Sequence, residues 1–304
     1  MSINTASIKE LKDRTGAGML DCKNALGESE GDMEKAIEIL REKGLAKAAK
    51  KAGRIAAEGL VRINLAKDST KAGIIEVNSE TDFVAKTSEF IEFVETLTGL
   101  IREVASGDVE GLLKVKYDAG QTVEEKLTNF IATIGENISI RRFARFERPG
   151  TVYVDYLHGA GKIGVLVGIE TSATAEEINV LGRDIAMQIA SMNPQFIDES
   201  QVDQDYIERE KKILEAQALN EGKSADIANK MVMGRLKKEL KETCLLEQKF
   251  VKDGDISVGQ YLKDQCKAIG KDAKVVEMIR YEVGEGIEKK EENFAEEVAK
   301  QMGN

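Results

Sequence analysis

Apolar residues recur at helical spacing through the first 45 positions of this chain and then change period. Ile8 and Leu11 mark one short helix, Met19, Cys22 and Leu26 a second, and Met33, Ala36, Ile37 and Leu40 a third. Breakers separate them: Thr15-Gly16-Ala17-Gly18, then Gly27 to Gly31, then Gly44. Each helix is too short to persist alone, so the three must pack on one another. Residues 45 to 59, LAKAAKKAGRIAAEG, read as a basic helical linker. That linker is either a solvated face or a contact for an acidic partner or ribosomal RNA.

The next pattern occurs twice. GLVRINLAKDSTKAGIIEVNSETDF (59–83) and GTVYVDYLHGAGKIGVLVGIETSAT (150–174) each alternate, turn, alternate again and enter a helix. The first helix carries Phe90, Ile91, Phe93, Val94 and Leu97; the second carries Ile178, Leu181, Ile185, Ile189 and Met192. Each copy later supplies another strand, near 138–146 and 275–283. The fold class is therefore α+β: two related halves, each a small antiparallel sheet with helices on one face. Pro149 separates the halves and Pro194 closes the second long helix.

A helical hairpin is predicted between about 203 and 241, inserted in the second half. Ile207, Leu214 and Ala218 form its first seam, and Ala225, Ala228, Val232 and Leu236 its second; Gly222 and Ser224 punctuate the turn. The seam needs a partner surface, either the body of the protein or a second copy of the hairpin. Phe294, Val298 and Met302 recur at i, i+4 and i+8 in a short terminal helix that docks on its own domain or clamps a partner. The resulting division is 1–45 three-helix module, 46–58 linker, 59–149 first core half, 150–198 with 250–284 second core half, 199–249 inserted hairpin and 285–304 C-terminal module.

Composition narrows the chemistry. The 304 residues are 42% hydrophobic and 32% charged, with a net charge of −10. An acidic surface repels phosphate backbones, which argues against broad nucleic-acid binding, DNA included. Cys22, Cys244 and Cys266 form no CxxC pair, so neither a zinc site nor a disulfide framework is expected, as suits a reducing cytoplasm. No apolar run approaches 18 residues and no leader pattern opens the chain; a cytoplasmic protein is expected. The lone histidine, His158, would have to serve any His-dependent site by itself. GAGKIG (159–164) lacks the Gly and Ser/Thr of a phosphate loop at Tyr156 and Ile163 and reads as a hairpin turn. GEGIEK (284–289) lacks the third glycine of a dinucleotide loop. No catalytic constellation, cofactor or metal site is expected.

What stands out is GIIEVNSETDFVAK (73–86). A strand ends in a polar corner, a helix opens at Asp82, and Phe83 sits where helix starts usually carry polar groups. One reading is local: Asp82 caps the helix and Phe83 packs down as a staple. The other is that Phe83 is presented to another protein. The second copy closes the equivalent corner with Glu170-Thr171-Ser172-Ala173-Thr174, without an Asp-Phe pair, which favours a specific role for Asp82 and Phe83.

At these residues the chain resembles the translation elongation factor Ts family, the guanine-nucleotide exchange factors of elongation factor Tu. TASIKELKDRTGAGMLDCKNAL, KAAKKAGRIAAEG, EVNSETDFVAK, GENISIRRF, HGAGKIGVLV, IRYEVGEGIEK and the final FAEEVA carry the likeness in order along essentially the whole chain. Ser79, where relatives often carry Cys, and Lys249, where Pro is common, are departures. The resemblance implies a ubiquitin-associated-like three-helix module, a two-part core, an inserted hairpin and a C-terminal helix. It implies no covalent chemistry. Asp82 and Phe83, flanked by Thr81 and Val84 in the partner-binding motif, would enter the partner's nucleotide-binding domain and dislocate Mg²⁺ and phosphate, so that GDP leaves and GTP can bind. Met19, Leu20, Phe294 and Val298 would touch the same domain, and His158, at the second-copy hairpin tip, another. A ribosome-associated adaptor without exchange activity is the alternative.

Overall fold

A computed structural model describes residues 4–101, 104, 107–221 and 225–288, with only the helical backbone of 225–230. The chain forms two compact units: Met1–Arg62, Ile75–Ala144 and Glu282–Asn304 in one, Ile63–Ile74 and Arg145–Tyr281 in the other. It is mixed α+β throughout.

The first unit begins with α1 (Thr5–Thr15), α2 (Met19–Glu28) and α3 (Met33–Lys51). Asn4 and Ser7 form a reciprocal capping box on α1, Gly16 ends it in the left-handed region, and the Asp32 carboxylate caps α3. Leu11, Cys22, Ala25, Leu26, Ala36 and Leu40 make a common core. Gly44 is not a breaker. It lies buried inside α3, and a Cβ there would be 3.6 Å from Asn129 and 3.9 Å from the Ala132 methyl. The missing side chain lets α3 approach a later helix, and the Ala-rich run beyond it has the propensity to continue. Residues 46–51 are thus the end of α3. Lys47 pairs with Asp21 at 2.9 Å, Lys51 donates to the Gly135 carbonyl and Arg54 reaches Glu80 at 3.5 Å, so these three cations of the predicted linker are engaged within the chain.

There follow β1 (Glu58–Leu65) and β2 (Lys71–Ser79), of which residues 63–65 and 71–74 fall in the second unit, then α4 (Asp82–Ala85), α5 (Ser88–Leu100), α6 (Val109–Leu113), α7 (Val123–Ile134) and β3 (Ile138–Glu147), which leaves the first unit after Ala144. The sheet order is β1-β2-β3. Phe90, Phe93, Val94 and Leu97 of α5 bury against Ile75, Val77, Ile138 and Val123, while Ile91 is half-buried. Phe93 packs on Phe130 of α7 with centroids 5.2 Å apart.

A buried ionic knot ties this unit together. Glu76 on β2 is fully buried. Arg141 donates to its Oε1 at 3.0 Å and Arg142 to its Oε2 at 2.7 Å, while Asn78 and the Gly284 N–H also donate to Oε1, at 3.1 and 2.8 Å. Gly284 has φ 72°, and a Cβ there would stand 2.2 Å from the Ala57 carbonyl oxygen. The GEGIE segment is therefore a turn that caps a buried carboxylate.

The second unit contains β4 (Thr151–His158), β5 (Ile163–Thr171), α8 (Ala175–Met192), α9 (Gln204–Asn220), α10 (Ala225–Thr243), β6 (Lys249–Phe250), β7 (Asp253–Ser257), α11 (Val258–Ile269) and β8 (Ala273–Glu282). β4 and β5 pair antiparallel from Thr151↔Glu170 to His158↔Ile163, in a sheet of order β4-β5-β8. Gly159, Ala160 and Gly161 all have positive φ, so GAGK is the predicted hairpin turn. Ile178, Leu181, Ile185 and Ile189 of α8 are buried, but Met192 on the last turn is exposed. Asp184 and Gln188 on α8 hold the β6–β7 region. Lys252 pairs with Asp184, the Tyr261 hydroxyl donates to it at 2.7 Å, and Gln188 accepts from the Val251 N–H at 2.8 Å.

In the inserted hairpin Ala218, Val232 and Leu236 are buried within a single chain, where α9 and α10 pack on one another. Part of the seam is thus covered within the hairpin, Ile207 and Leu214 are half-buried, and the side chains of Ala225 and Ala228 lie outside the described residues. Gly222 and Ser224 lie outside the described residues.

Two stability outcomes follow. Glu76→Ala leaves two guanidinium groups without their buried counter-charge and should cost about 3 kcal/mol. A fall in urea midpoint at unchanged slope measures it. Burial pushes the phenols of Tyr153 and Tyr261 well above their ordinary range, and their bonds to Glu277 and Asp184 act the same way. Above about pH 10 the unfolded chain loses these protons while the native state keeps them. Their contribution is therefore full below that pH and shrinks as pH rises. The double variant Tyr153→Phe, Tyr261→Phe should show a flatter alkaline fall in urea midpoint than the parent.

Candidate functional site

The corner between β2 and α4 is built from Ser79 to Lys86. Thr81 is extended (φ −122°, ψ 155°), and its hydroxyl accepts from the Val84 N–H at 3.4 Å, so Thr81 is the helix cap. The expectation that Asp82 caps α4 is corrected by one residue. Asp82 already has helical geometry, and its carboxylate pairs with Lys86 one turn on. An acid in this first turn is still favoured by the helix dipole. The Ser79 hydroxyl donates to the Thr81 carbonyl at 2.9 Å and closes the turn behind the cap.

Val84 and Ala85 point inward and join the cluster around Phe90 and Phe93. Phe83 does the opposite: it is 79% exposed, the most exposed of the large apolar side chains described. The staple reading of Phe83 is therefore excluded. With two buried neighbours fixing one face of a single turn, Phe83 has to stand on the other.

Two carboxylates hold the corner from outside α4. Glu136, just after α7, accepts the Thr81 N–H at 3.0 Å and the Thr81 hydroxyl at 2.8 Å. In return Glu80 accepts the Asn137 N–H at 2.5 Å, and the Asn137 side-chain amide donates to the Arg54 carbonyl at 2.7 Å. Sequence reasoning missed this clasp. The partners lie 55 and 57 residues apart, and the only local hint is a glutamate directly after Gly135, the left-handed end of α7.

The remaining expected contact residues divide between the units. Met19 and Leu20 open α2 in the first unit, 49% and 69% exposed, behind Gly18, which offers no side-chain cap. His158 is the last residue of β4 in the second unit, exposed, with Nδ1 3.0 Å from the Tyr156 hydroxyl and exposed Leu157 beside it. Phe294 and Val298 lie outside the described residues.

Reactive chemistry is sparse. Among the described residues no group of His, Cys, Asp or Glu side chains is gathered to hold a metal ion. Burial raises the thiol pKa of Cys22 and Cys244, which keeps both protonated. No described helix is long and apolar enough to cross a membrane.

Comparison with known proteins decides the lineage. A family model described as Elongation factor TS matches residues 80–285, which takes in Glu80 to Lys86 of the corner, Glu136, Asn137 and Gly284. Elongation factor Ts of Clostridioides difficile is 55% identical over 301 residues, 99% of each chain. The chain belongs to the elongation factor Ts family. Elongation factor Ts of Clostridium perfringens and of Clostridium botulinum are 52% and 50% identical, again across 99% of each chain. The elongation factor Ts likeness thus extends across both units.

Removing the cap tests the local account of the corner. Thr81→Val deletes both the acceptor for Val84 and a donor to Glu136, and should cost about 1–2 kcal/mol. Asp82→Ala removes the exposed ion pair with Lys86 and the favourable first-turn charge, and should cost less than about 1 kcal/mol. Urea unfolding separates the two, and faster amide exchange at Val84 should accompany the first alone.

Proposed function

We propose that this chain is a guanine-nucleotide exchange factor for elongation factor Tu in translation elongation. It binds the GDP-bound partner, disturbs the site that holds Mg²⁺ and the phosphates, and promotes GDP release so that GTP binds. It works by contact alone, makes no covalent bond, needs no cofactor and acts in the cytoplasm. One observation carries the reading: Phe83 stands 79% exposed on a corner whose neighbours on both sides are anchored.

The physical basis is coupling. Mg²⁺ neutralises the diphosphate and backbone N–H groups cradle it. If bound factor and bound GDP demand different arrangements of the partner, each weakens the other by the same factor. A hundredfold loss of GDP affinity corresponds to about 2.7 kcal/mol. Burying one phenylalanine yields about 1.5–3 kcal/mol, the same size. Phe83 acts as the wedge, and Asp82, half-exposed beside it, competes for hydrogen-bond donors near the phosphates. Val84 and Thr81 support the wedge from within. Met19 and Leu20 supply further apolar contact with the nucleotide-binding domain, as do Phe294 and Val298, while His158 with Leu157 meets another domain of the partner.

Phe83→Ala removes the wedge and leaves the buried faces of α4 untouched. Truncating a central aromatic costs about 2 kcal/mol or more. The maximal rate at which the chain releases fluorescent GDP from elongation factor Tu should therefore fall by about 30-fold, with an unchanged urea midpoint. Release at the parental rate would sink the wedge.

A further inference from the structure

The clasp that holds the corner differs in kind from the closure of its duplicate. In the second unit the Thr171 hydroxyl accepts from the Ala173 N–H at 3.0 Å and donates to the Asp272 main-chain carbonyl at 2.7 Å. Gly270, the left-handed end of α11, matches Gly135, the left-handed end of α7, so Lys271 stands where Glu136 does and Asp272 where Asn137 does. In both corners the end of the second strand is bonded to the loop before the third: Thr171 ends β5 and meets Asp272, as Glu80 follows β2 and meets Asn137. At that shared position the second copy uses a neutral bond to a backbone carbonyl. The copy that presents Phe83 adds a carboxylate: Glu136, where the second copy carries Lys271, takes both the N–H and the hydroxyl of Thr81.

We infer that Glu136 is a positioning residue for the Asp82–Phe83 corner, holding Thr81 so that α4 starts in the one orientation that presents Phe83 to the partner. A hydroxyl has one proton. With that proton committed to Glu136 Oε1, a lone pair of Thr81 Oγ1 faces the Val84 N–H. The second Glu136 oxygen fixes the Thr81 backbone. Hydrogen bonds to an ionised acceptor are about twice as strong as neutral ones. A helix of four residues cannot set its own direction, because nucleation consumes its whole length. Glu136 therefore supplies from outside the rigidity that α4 lacks, and it does so without touching the partner's nucleotide.

The inference rests on the exchange-factor reading, and the test keeps the two apart. Fluorescent GDP release from elongation factor Tu is measured against factor concentration for the full chain, Glu136→Gln, Glu136→Ala, Phe83→Ala and the double variant Glu136→Ala, Phe83→Ala. Failure of the unmodified chain to accelerate release overturns the exchange reading itself. If Glu136 positions the corner, both single Glu136 variants lower the maximal rate about tenfold, the size of one charge-assisted hydrogen bond, and shift the half-maximal concentration little. The double variant then releases GDP no more slowly than Phe83→Ala alone, because the two residues act through one side chain. Parental maximal rates in both Glu136 variants overturn the inference. So does an equal loss in the presence and absence of Phe83. Loss of the far-ultraviolet helix signal in both variants also overturns it, since Glu136 would then be holding the fold and not the corner.

Discussion

The Glu76 carboxylate is the interaction on which the first unit depends. An ion taken out of water costs several kcal/mol unless it is fully paired. Here the pairing comes from four donors on three separate stretches of chain: Asn78 on β2, Arg141 and Arg142 on β3, and the Gly284 turn. Successive strand residues ordinarily face opposite ways, so two adjacent arginines reach one carboxylate only in a particular alignment of the strands. A slip of β3 by one position would leave a buried charge short of partners. Burial makes the knot a specifier of register more than a source of net stability. Gly284 completes it because no side chain fits against the Ala57 carbonyl.

That fixed strand leads straight into the corner. From Glu76 to Thr81 the chain has no freedom to relax: Asn78 is tied to Glu58, Ser79 to Thr81, and Thr81 to Glu136. The orientation of α4 is thus inherited from its surroundings. Val84 and Ala85 then spend their apolar surface inward, and Phe83 forgoes the burial that would ordinarily stabilise the chain by about 1.5–3 kcal/mol. A rigid scaffold displaying an unburied aromatic is what an interface needs, because little ordering entropy remains to be lost on contact.

Periodicity made the helices of the first module and the two strand pairs readable, since each element buries its own stripe. The hairpin turn at Gly159–Lys162 and the odd placement of Phe83 were legible for the same local reason. What stayed hidden was long-range. Glu76 meets Arg141 across 65 residues and Gly284 across 208, and no local pattern marks either. Gly44 misled because a glycine that breaks a helix and a glycine that lets two helices touch look alike in sequence; only the proximity of α7 distinguishes them. The cap lies at Thr81 and not at Asp82, although both are good cap formers, and Thr81 is the one that Glu136, 55 residues away, also holds. Gly182 in the middle of α8 carried the same hidden information, since a Cβ there would lie 2.4 Å from Val154.

On the proposed reading, magnitudes also say that the corner does not act alone. Burial of Phe83 can couple to nucleotide affinity by at most about 1.5–3 kcal/mol, roughly ten- to 150-fold. Any larger exchange effect needs binding energy from elsewhere that is spent on the same distortion. The first unit offers it in Met19 and Leu20, two exposed apolar residues at the start of α2. α2 is held by the core of Cys22, Ala25 and Leu26, while Lys47 of α3 pairs with Asp21. The module is in turn tied to the core by the Arg41–Glu125 pair and by the Gly44 approach to α7, the helix whose end carries Glu136. Contact energy gained at α2 can therefore be held against the corner through α3 and α7. On the proposed reading, the packed glycine in α3 and the carboxylate beyond α7 lie along one chain of contacts from α2 to the corner.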